Sequence, residues 1–413
     1  MMEETCREKE RVILFAVSLS NEEDCRQSLA ELSELAQTAG ADTIGMLLQN
    51  RGEIHPVTYL GSGKLEELDE FVRETKATGV ICDDELSPLQ FNKLSEILHV
   101  KVMDRTLVIL DIFAKHASSA EGKLQVELAQ LAYTQARLKG FGHAMSRLGG
   151  GIGTRGPGEK KLETDRRLIN KRMAVLNREL KDVGKHREET RKKRKKNGLF
   201  VIALVGYTNA GKSSILNMLT GASVLQEDKV FATLDPTTRI WCLPDKQEVL
   251  LTDTVGFIRK LPHHLINAFR STLEEARYAD IIFHVVDASS PYMDMQMHVV
   301  YETLTELGIS NKRIVTLFNK QDKIKDEIHV RDLKAEAVLK ISAVKREGAE
   351  QLGQLMIRLL TEGSMLFERL VPYSEVFVIQ KIRKNGRLLK EEYQAEGIYV
   401  KAYVPKELYG ALV

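Results

Sequence analysis

At 413 residues the chain exceeds what a single hydrophobic core serves, so several domains of ordinary size are expected. Charged residues make up 29% of it yet cancel to a net charge of +2, which excludes a uniformly basic or acidic chain and moves attention to local clusters. Cys6, Cys25, Cys82 and Cys242 lack the close paired spacing of zinc or redox motifs, and no run approaches the ~20 apolar residues of a membrane span. A cytoplasmic chain with reduced thiols is expected, with any membrane association peripheral.

The first 116 residues alternate strand-like and helix-like runs. RVILFAVSL precedes the helical LAELSELAQTAG, DTIGMLLQN precedes KLEELDEFVRETK, GVICDD precedes PLQFNKLSEIL, and VKVMD precedes RTLVILDIFAKH. Such alternation implies an α/β domain over a mostly parallel sheet. Gly61, Ser62, Gly63 and Lys64 look like the end of a phosphate loop, but the glycine required earlier is missing. A turn capping the next helix is the expectation there.

Residues 117–197 read as a helical hairpin. Leu124, Leu128, Leu131 and Leu138 share one helical face, and Ile169, Met173, Leu176, Leu180 and Val183 alternate spacings of four and three along a second helix. Between them GFGHAMSRLGGGIGTRGPGEKK is too glycine-rich for a helix and carries Arg147, Arg155, Lys160 and Lys161. The second helix ends in an unbroken positive run, Arg191, Lys192, Lys193, Arg194, Lys195 and Lys196. A solvated helix end explains such a run taken alone. With a basic tip at the other end of the hairpin, RNA is the favoured partner.

Residues 198–363 alternate again, and their first strand, LFVIALV, runs into GYTNAGKSS. Gly206 and Gly211 bracket four residues before Lys212 and Ser213, the spacing of a phosphate loop. Gly206, Tyr207, Thr208, Asn209, Ala210, Gly211, Lys212, Ser213 and Ser214 are expected to wrap the phosphates, with converging N–H groups and a helix N-terminus supplying positive potential. Lys212 supplies a point charge to the β- and γ-phosphates, and Ser213 a hydroxyl ligand to Mg²⁺. In LLTDTVGF, Asp253 is placed to hold the water shell of Mg²⁺ and Gly256 to meet the γ-phosphate. Thr233 in VFATLDPTTR is expected to join Mg²⁺ only while that phosphate is present, with Thr237 and Thr238 as rivals. The strand RIVTLFNKQD ends in Asn319, Lys320 and Asp322. A carboxylate there accepts from N1 and N2 of guanine, whereas adenine offers no such pair of donors, so GTP and GDP are the expected ligands. Ser342 and Ala343 in KISAVKREG are expected beside the guanine O6. Lys212, Thr233 and Gly256 carry the catalytic expectation. Residues 364–413 read as a small α+β domain, with the helix EVFVIQKIRKNG before the strands LLKEEYQAEG and IYVKAYVP.

GYTNAGKSS, FATLDPTTR, DTVGFIRKLP, NKQD and SA, with GGGIGTRGPGEKKLETDRR upstream and PYSEVF and EEYQAEGIYVKAYVP in the tail, resemble the HflX family of ribosome-associated GTPases. The resemblance implies a multidomain α/β chain: N-terminal α/β domain, helical hairpin, P-loop GTPase domain and small C-terminal domain. It implies binding to the large ribosomal subunit and its rRNA, and a role in splitting or rescuing stalled ribosomes under stress. It carries the GTP roles onto Asn209, Gly211, Lys212, Ser213, Thr233, Asp253, Gly256, Asn319, Lys320 and Asp322. Asn209 is similar to the asparagine by which related GTPases hold K⁺, a loop-bracing asparagine being the plainer reading. Family members are also linked to ATP through the N-terminal region, so an ATP-driven RNA remodeller with a regulatory GTPase is an alternative, and a protein-binding switch a third. A free monomer is expected. Phe257 stands where Ras-like enzymes place the glutamine that orients water, so slow intrinsic hydrolysis is expected.

Overall fold

The computed structural model describes residues 9–145, 157–196, 199–221, 231, 236–260, 262, 270–309, 311–324, 331–362 and 364–412. Its first strand, β1 (Glu10–Ser18), is buried from Val12 to Ser18 without a break. Continuous burial of this kind belongs to a parallel strand covered on both faces. β2 (Ala41–Asn50), β3 (Gly79–Cys82) and β4 (Lys101–Asp104) complete a parallel sheet of order β2-β1-β3-β4. Helices α1 (Glu22–Ala39) and α4 (Arg105–His116) cover one face, and α2 (Ser62–Thr75) and α3 (Pro88–Leu98) the other. Asn21 caps α1 by accepting from the Glu23 and Asp24 amides. Gly61 is the cap of α2 and Lys64 pairs with Glu67 at 2.8 Å, so that glycine pair serves a turn.

α5 (Ala120–Met145) and α6 (Pro157–Lys196) pack together along the apolar seam expected of a hairpin, with Leu176 buried. Across it Arg172 Nε donates to Glu127 Oε1 at 2.6 Å. The leucine face of α5 is only half-buried, because a second face of Val126, Ala129 and Tyr133 is sunk into the N-terminal core. The hairpin is thereby fixed to that domain. One expectation is corrected: GFGHAM, read as too glycine-rich, continues α5 to Met145, and α6 begins at Pro157. A glycine lowers helix stability by only ~1 kcal/mol, which propagation from a long helix absorbs, and proline suits a first helical turn.

The next sheet has the order β10-β9-β8-β5-β7-β6. Its strands are β5 (Phe200–Gly206), β6 (Thr237–Cys242), β7 (Glu248–Asp253), β8 (Ile281–Asp287), β9 (Arg313–Asn319) and β10 (Ala337–Lys340), with β6 antiparallel to β7. Ile202 and Leu204 face α7 (Lys212–Thr220) and α10 (Ala349–Thr361). Their neighbours Ala203 and Val205 face α8 (Arg270–Tyr278) and α9 (Met293–Glu306), the period-two alternation of a covered strand. The C-terminal part pairs β13 (Gly397–Pro405) antiparallel with β11 (Ser364–Val371) and β12 (Arg387–Gln394), under α11 (Val376–Asn385) and α12 (Lys406–Leu412). β11 and α12 were not legible in the tail; SMLFERLV mixes charges into an apolar run that only its partner strand organises.

Candidate functional site

β5 lies between β8 and β7, and the chain runs from it first to one side of the sheet and then to the other. The carboxyl end of such a strand is where open α/β sheets bind ligands. The phosphate loop leaves there and enters α7 at Gly211, whose φ is 94° and whose added Cβ would lie 2.2 Å from Asn319 Nδ2. Only glycine fits both conditions. Asn209 holds φ 59°, a conformation asparagine tolerates, with its side chain exposed.

Lys212 is buried, and its Nζ donates to the carbonyls of Tyr207 at 2.8 Å and Gly206 at 3.2 Å. Burial pushes this ammonium down to about 8, against the attraction of Asp253 and with the repulsion of Lys320. Ser213 Oγ donates to Oδ2 of the fully buried Asp253 at 2.6 Å. The Ser213 hydroxyl is a hard oxygen that fits Mg²⁺, with Asp253 placed to hold its water shell and phosphate and water as the remaining ligands. Among the described residues no group of three or more His, Cys, Asp or Glu is placed to hold a metal. Gly256 abuts this cluster: a Cβ on it would lie 2.9 Å from Thr208 Cα and 3.0 Å from Lys212 Nζ.

At the base-reading end Asn319 acts as a brace. Its Nδ2 donates to the Ala210 carbonyl at 2.9 Å, and its Oδ1 accepts the Ala343 amide at 3.1 Å. Lys320, at φ 63°, pairs with Asp287 at 2.8 Å. Asp322 accepts from Ser342 Oγ at 2.5 Å, and that hydrogen bond holds its carboxyl below the ordinary value. Thr208 is buried and its amide donates to the Phe257 carbonyl at 2.8 Å, while Ser214 sits in the first turn of α7. Thr233 lies outside the described residues. Thr237 pairs with Asp253 across β6 and β7, and Thr238 Oγ1 lies 3.0 Å from Thr252 Oγ1.

Arg147 and Arg155 also lie outside the described residues. Lys160, Lys161, Lys193, Arg194, Lys195 and Lys196 fall on α6, their side chains outside the described set. Lys192 is exposed and pairs with Glu188 at 3.4 Å. Arg191 faces the GTPase domain: Nη2 meets Glu275 Oε1 at 2.6 Å, and the guanidinium lies 4.1 Å over the Tyr278 ring on α8.

Sequence reasoning missed the contact between the phosphate-sensing segments and the N-terminal domain. Phe231, Val255 and Ile258 belong to the core built on α1, α4 and α5, with Phe231 edge-on to Phe113 at 4.6 Å between centroids. Arg259 pairs with Asp24 at 2.8 Å, and Lys260 with Asp83 at 2.5 Å and Asp84 at 2.6 Å. Arg105, buried, joins Asp83 at 2.9 Å to Glu31 at 3.1 Å, and Tyr207 Oη donates to Glu31 at 2.7 Å. The doublets RK after DTVGFI and DD after GVIC were visible as charges beside apolar runs, but nothing local says that they meet.

Phosphate seat, metal-facing oxygens and base-reading turn along one sheet edge define a P-loop GTPase domain. Family models agree along the chain: one described as the N-terminal part of a GTP-binding GTPase matches residues 26–114, one described as its middle region matches 116–194, and one described as a 50S ribosome-binding GTPase matches 201–320. A GTPase HflX of Lacrimispora saccharolytica is 59% identical over 98% of this chain and 96% of its own. One from Caldanaerobacter subterraneus subsp. tengcongensis is 49% identical over 98% and 94%. Among solved structures, a GTP-binding protein from Sulfolobus solfataricus in complex with GDP is 25% identical, at a TM-score of 0.45 over 86% of this chain and 99% of that one. The chain belongs to the HflX family of GTPases, and its activity is the hydrolysis of GTP to GDP. No helix among the described residues is long and apolar enough to cross a membrane.

Proposed function

We propose that this enzyme is a cytoplasmic, monomeric ribosome-associated GTPase that binds the large subunit and its rRNA in the GTP state, and that hydrolysis accompanies the splitting or rescue of stalled ribosomes under stress. The observation that carries the reading is the match of residues 201–320 to a family described as 50S ribosome-binding, in a chain whose GTPase domain is joined to a long basic hairpin. In this reading the parts are an N-terminal domain (1–116), hairpin (117–197), GTPase domain (198–363) and C-terminal domain (364–413). Arg147, Arg155, Lys160, Lys161 and Lys192 to Lys196 meet rRNA phosphates, while Arg191 serves as a joint to α8. The loop from Gly206 to Ser214 seats the phosphates, Asp322, Ser342 and Ala343 read guanine, and Asn319 and Lys320 hold that turn in place. Ser213 and Thr233 hold Mg²⁺ directly and Asp253 through water, Asn209 holds K⁺, and Lys212 and Gly256 stabilise charge on the γ-phosphate.

ATP use at the N-terminal sheet draws no support from its chemistry. The carboxyl edge of that sheet carries Asp83, Asp84 and Asp104, and the cations beside them, Arg105, Arg137 and Lys260, are already engaged by those carboxylates. Sucrose-gradient sedimentation with 50S and 70S particles tests the proposal. Comigration with 50S subunits in a non-hydrolysable GTP analogue, and its loss in GDP, is expected. Equal sedimentation in both nucleotides would refute a GTP-gated encounter.

A further inference from the structure

We infer that Tyr207 is a positioning residue for GTP hydrolysis: its hydroxyl fixes the segment after Gly256 against the phosphate loop, and Glu31 of the N-terminal domain completes that arrangement. Tyr207 is the second residue of the loop, yet its side chain turns to the segment that follows DTVG. Its ring is buried in the cluster that holds Phe257 and Ala276. On either side of it the backbone is pinned, since the Thr208 amide donates to the Phe257 carbonyl at 2.8 Å and the Phe257 amide to the Gly206 carbonyl at 3.0 Å. Beyond the ring, the hydroxyl accepts the Arg259 amide at 3.0 Å and donates to Glu31 Oε1 at 2.7 Å. One side chain therefore touches the phosphate loop, the sensing segment and a second domain.

The contacts form a closed circuit. Glu31 is held by Arg105, Arg105 by Asp83, Asp83 by Lys260, and Lys260 follows the residue whose amide the tyrosine accepts. Residues 257–260 are thus tied at both ends, and Gly256 is carried with them. Burial, then the neighbouring Glu31 carboxylate, pushes the Tyr207 phenol up, so it remains a donor at working pH. The arrangement bears on hydrolysis because Phe257 has no group with which to orient water. The placement of Gly256 and of any attacking water then depends on how firmly the backbone is held. The ring alone would suffice for packing; the hydroxyl and its carboxylate partner add direction.

Single-turnover GTP hydrolysis at saturating nucleotide and Mg²⁺, with fluorescent-GDP titration, tests this on the full-length chain. Tyr207→Phe keeps the ring and removes the hydroxyl. Its rate is expected to fall about tenfold, the scale of one lost hydrogen-bonded link, with GDP affinity within about twofold of the parent. Glu31→Ala is expected to reproduce that loss, and Glu31→Gln, which still offers an oxygen to the phenol, to recover most of the rate. A Tyr207→Phe rate equal to or above the parent's would overturn the inference. So would rate and GDP affinity falling together, or Glu31→Gln being as slow as Glu31→Ala.

Discussion

Replacing Asp83 by asparagine keeps the side-chain volume and removes one charge from a buried cluster. Asp83 is fully buried and accepts Arg105 Nη1 at 2.9 Å and Lys260 Nζ at 2.5 Å. Burial alone would raise its carboxyl, but Arg105 and Lys260 outweigh that and hold it below the ordinary value. Its stabilising contribution is therefore present above the unfolded carboxylate pKa and is lost as pH falls through the lowered folded value. Breaking a buried pair costs about 3–5 kcal/mol. Each cation here keeps a second carboxylate, Glu31 for Arg105 and Asp84 for Lys260, so about 3 kcal/mol is expected at pH 7. Because Asp83 belongs to the N-terminal domain, the loss should fall there first. Trp241 is the single tryptophan of the chain and is buried in the GTPase domain, so its fluorescence reports that domain while far-UV circular dichroism reports all of them. In urea, Asp83→Asn should move the early part of the dichroism transition to lower concentration and leave the Trp241 transition nearly in place, separating two domains. Coincident, unshifted transitions would refute a stabilising role for the buried pairs of Asp83.

Nucleotide chemistry gives three further expectations. Asp322→Asn should weaken GTP binding by about 2–3 kcal/mol, through loss of charge-assisted hydrogen bonds to guanine, and admit xanthine nucleotide, whose C2 carbonyl suits an amide; a competition assay with unchanged guanine selectivity would reject the base-reading role. Burial pushes the Lys212 ammonium down to about 8, so GDP affinity should fall about fivefold from pH 8 to pH 9, with Lys212→Arg showing no comparable fall; identical pH profiles would contradict the buried-ammonium reading. Hydrolysis should run faster in K⁺ than in Na⁺ at equal ionic strength, and Asn209→Ala should remove the difference; equal parent rates in the two salts would dismiss a cation at Asn209.

The secondary structure of the N-terminal and GTPase domains was most legible where strands are buried on both faces. β1 and β5 read as unbroken apolar runs, and helical periodicity with capping residues such as Asn21 marks what lies between. The nucleotide residues were legible because the loop constrains its residue types locally: Gly211 needs its positive φ whatever the rest of the chain does. Tyr207, Glu31, Arg105 and Lys260 were not legible. Their roles arise from approach between residues as far apart as Asp24 and Arg259, and charge in a sequence carries no address. Arg191 shows the same limit from the other side. In a run of six positive residues it is indistinguishable from its neighbours, yet the phase of α6 turns it onto Glu275 and Tyr278.

The length of α6 sets a gear ratio. Its 40 residues span about 60 Å at 1.5 Å per residue, and the pivot against α8 lies near one end, at Arg191. Pro157 then sits about 50 Å from that pivot, so a tilt of about 6° there displaces it by about 5 Å. α5 packs into the N-terminal core, and that same core holds Phe231, Val255 and Ile258 of the GTPase domain, so α6 is tied to the GTPase domain at a second place besides Arg191. A tilt that large therefore requires the buried contacts of Phe231, Val255 and Ile258 and the ion pairs of Arg259 and Lys260 to rearrange together, which makes the interdomain seam the brake on the lever.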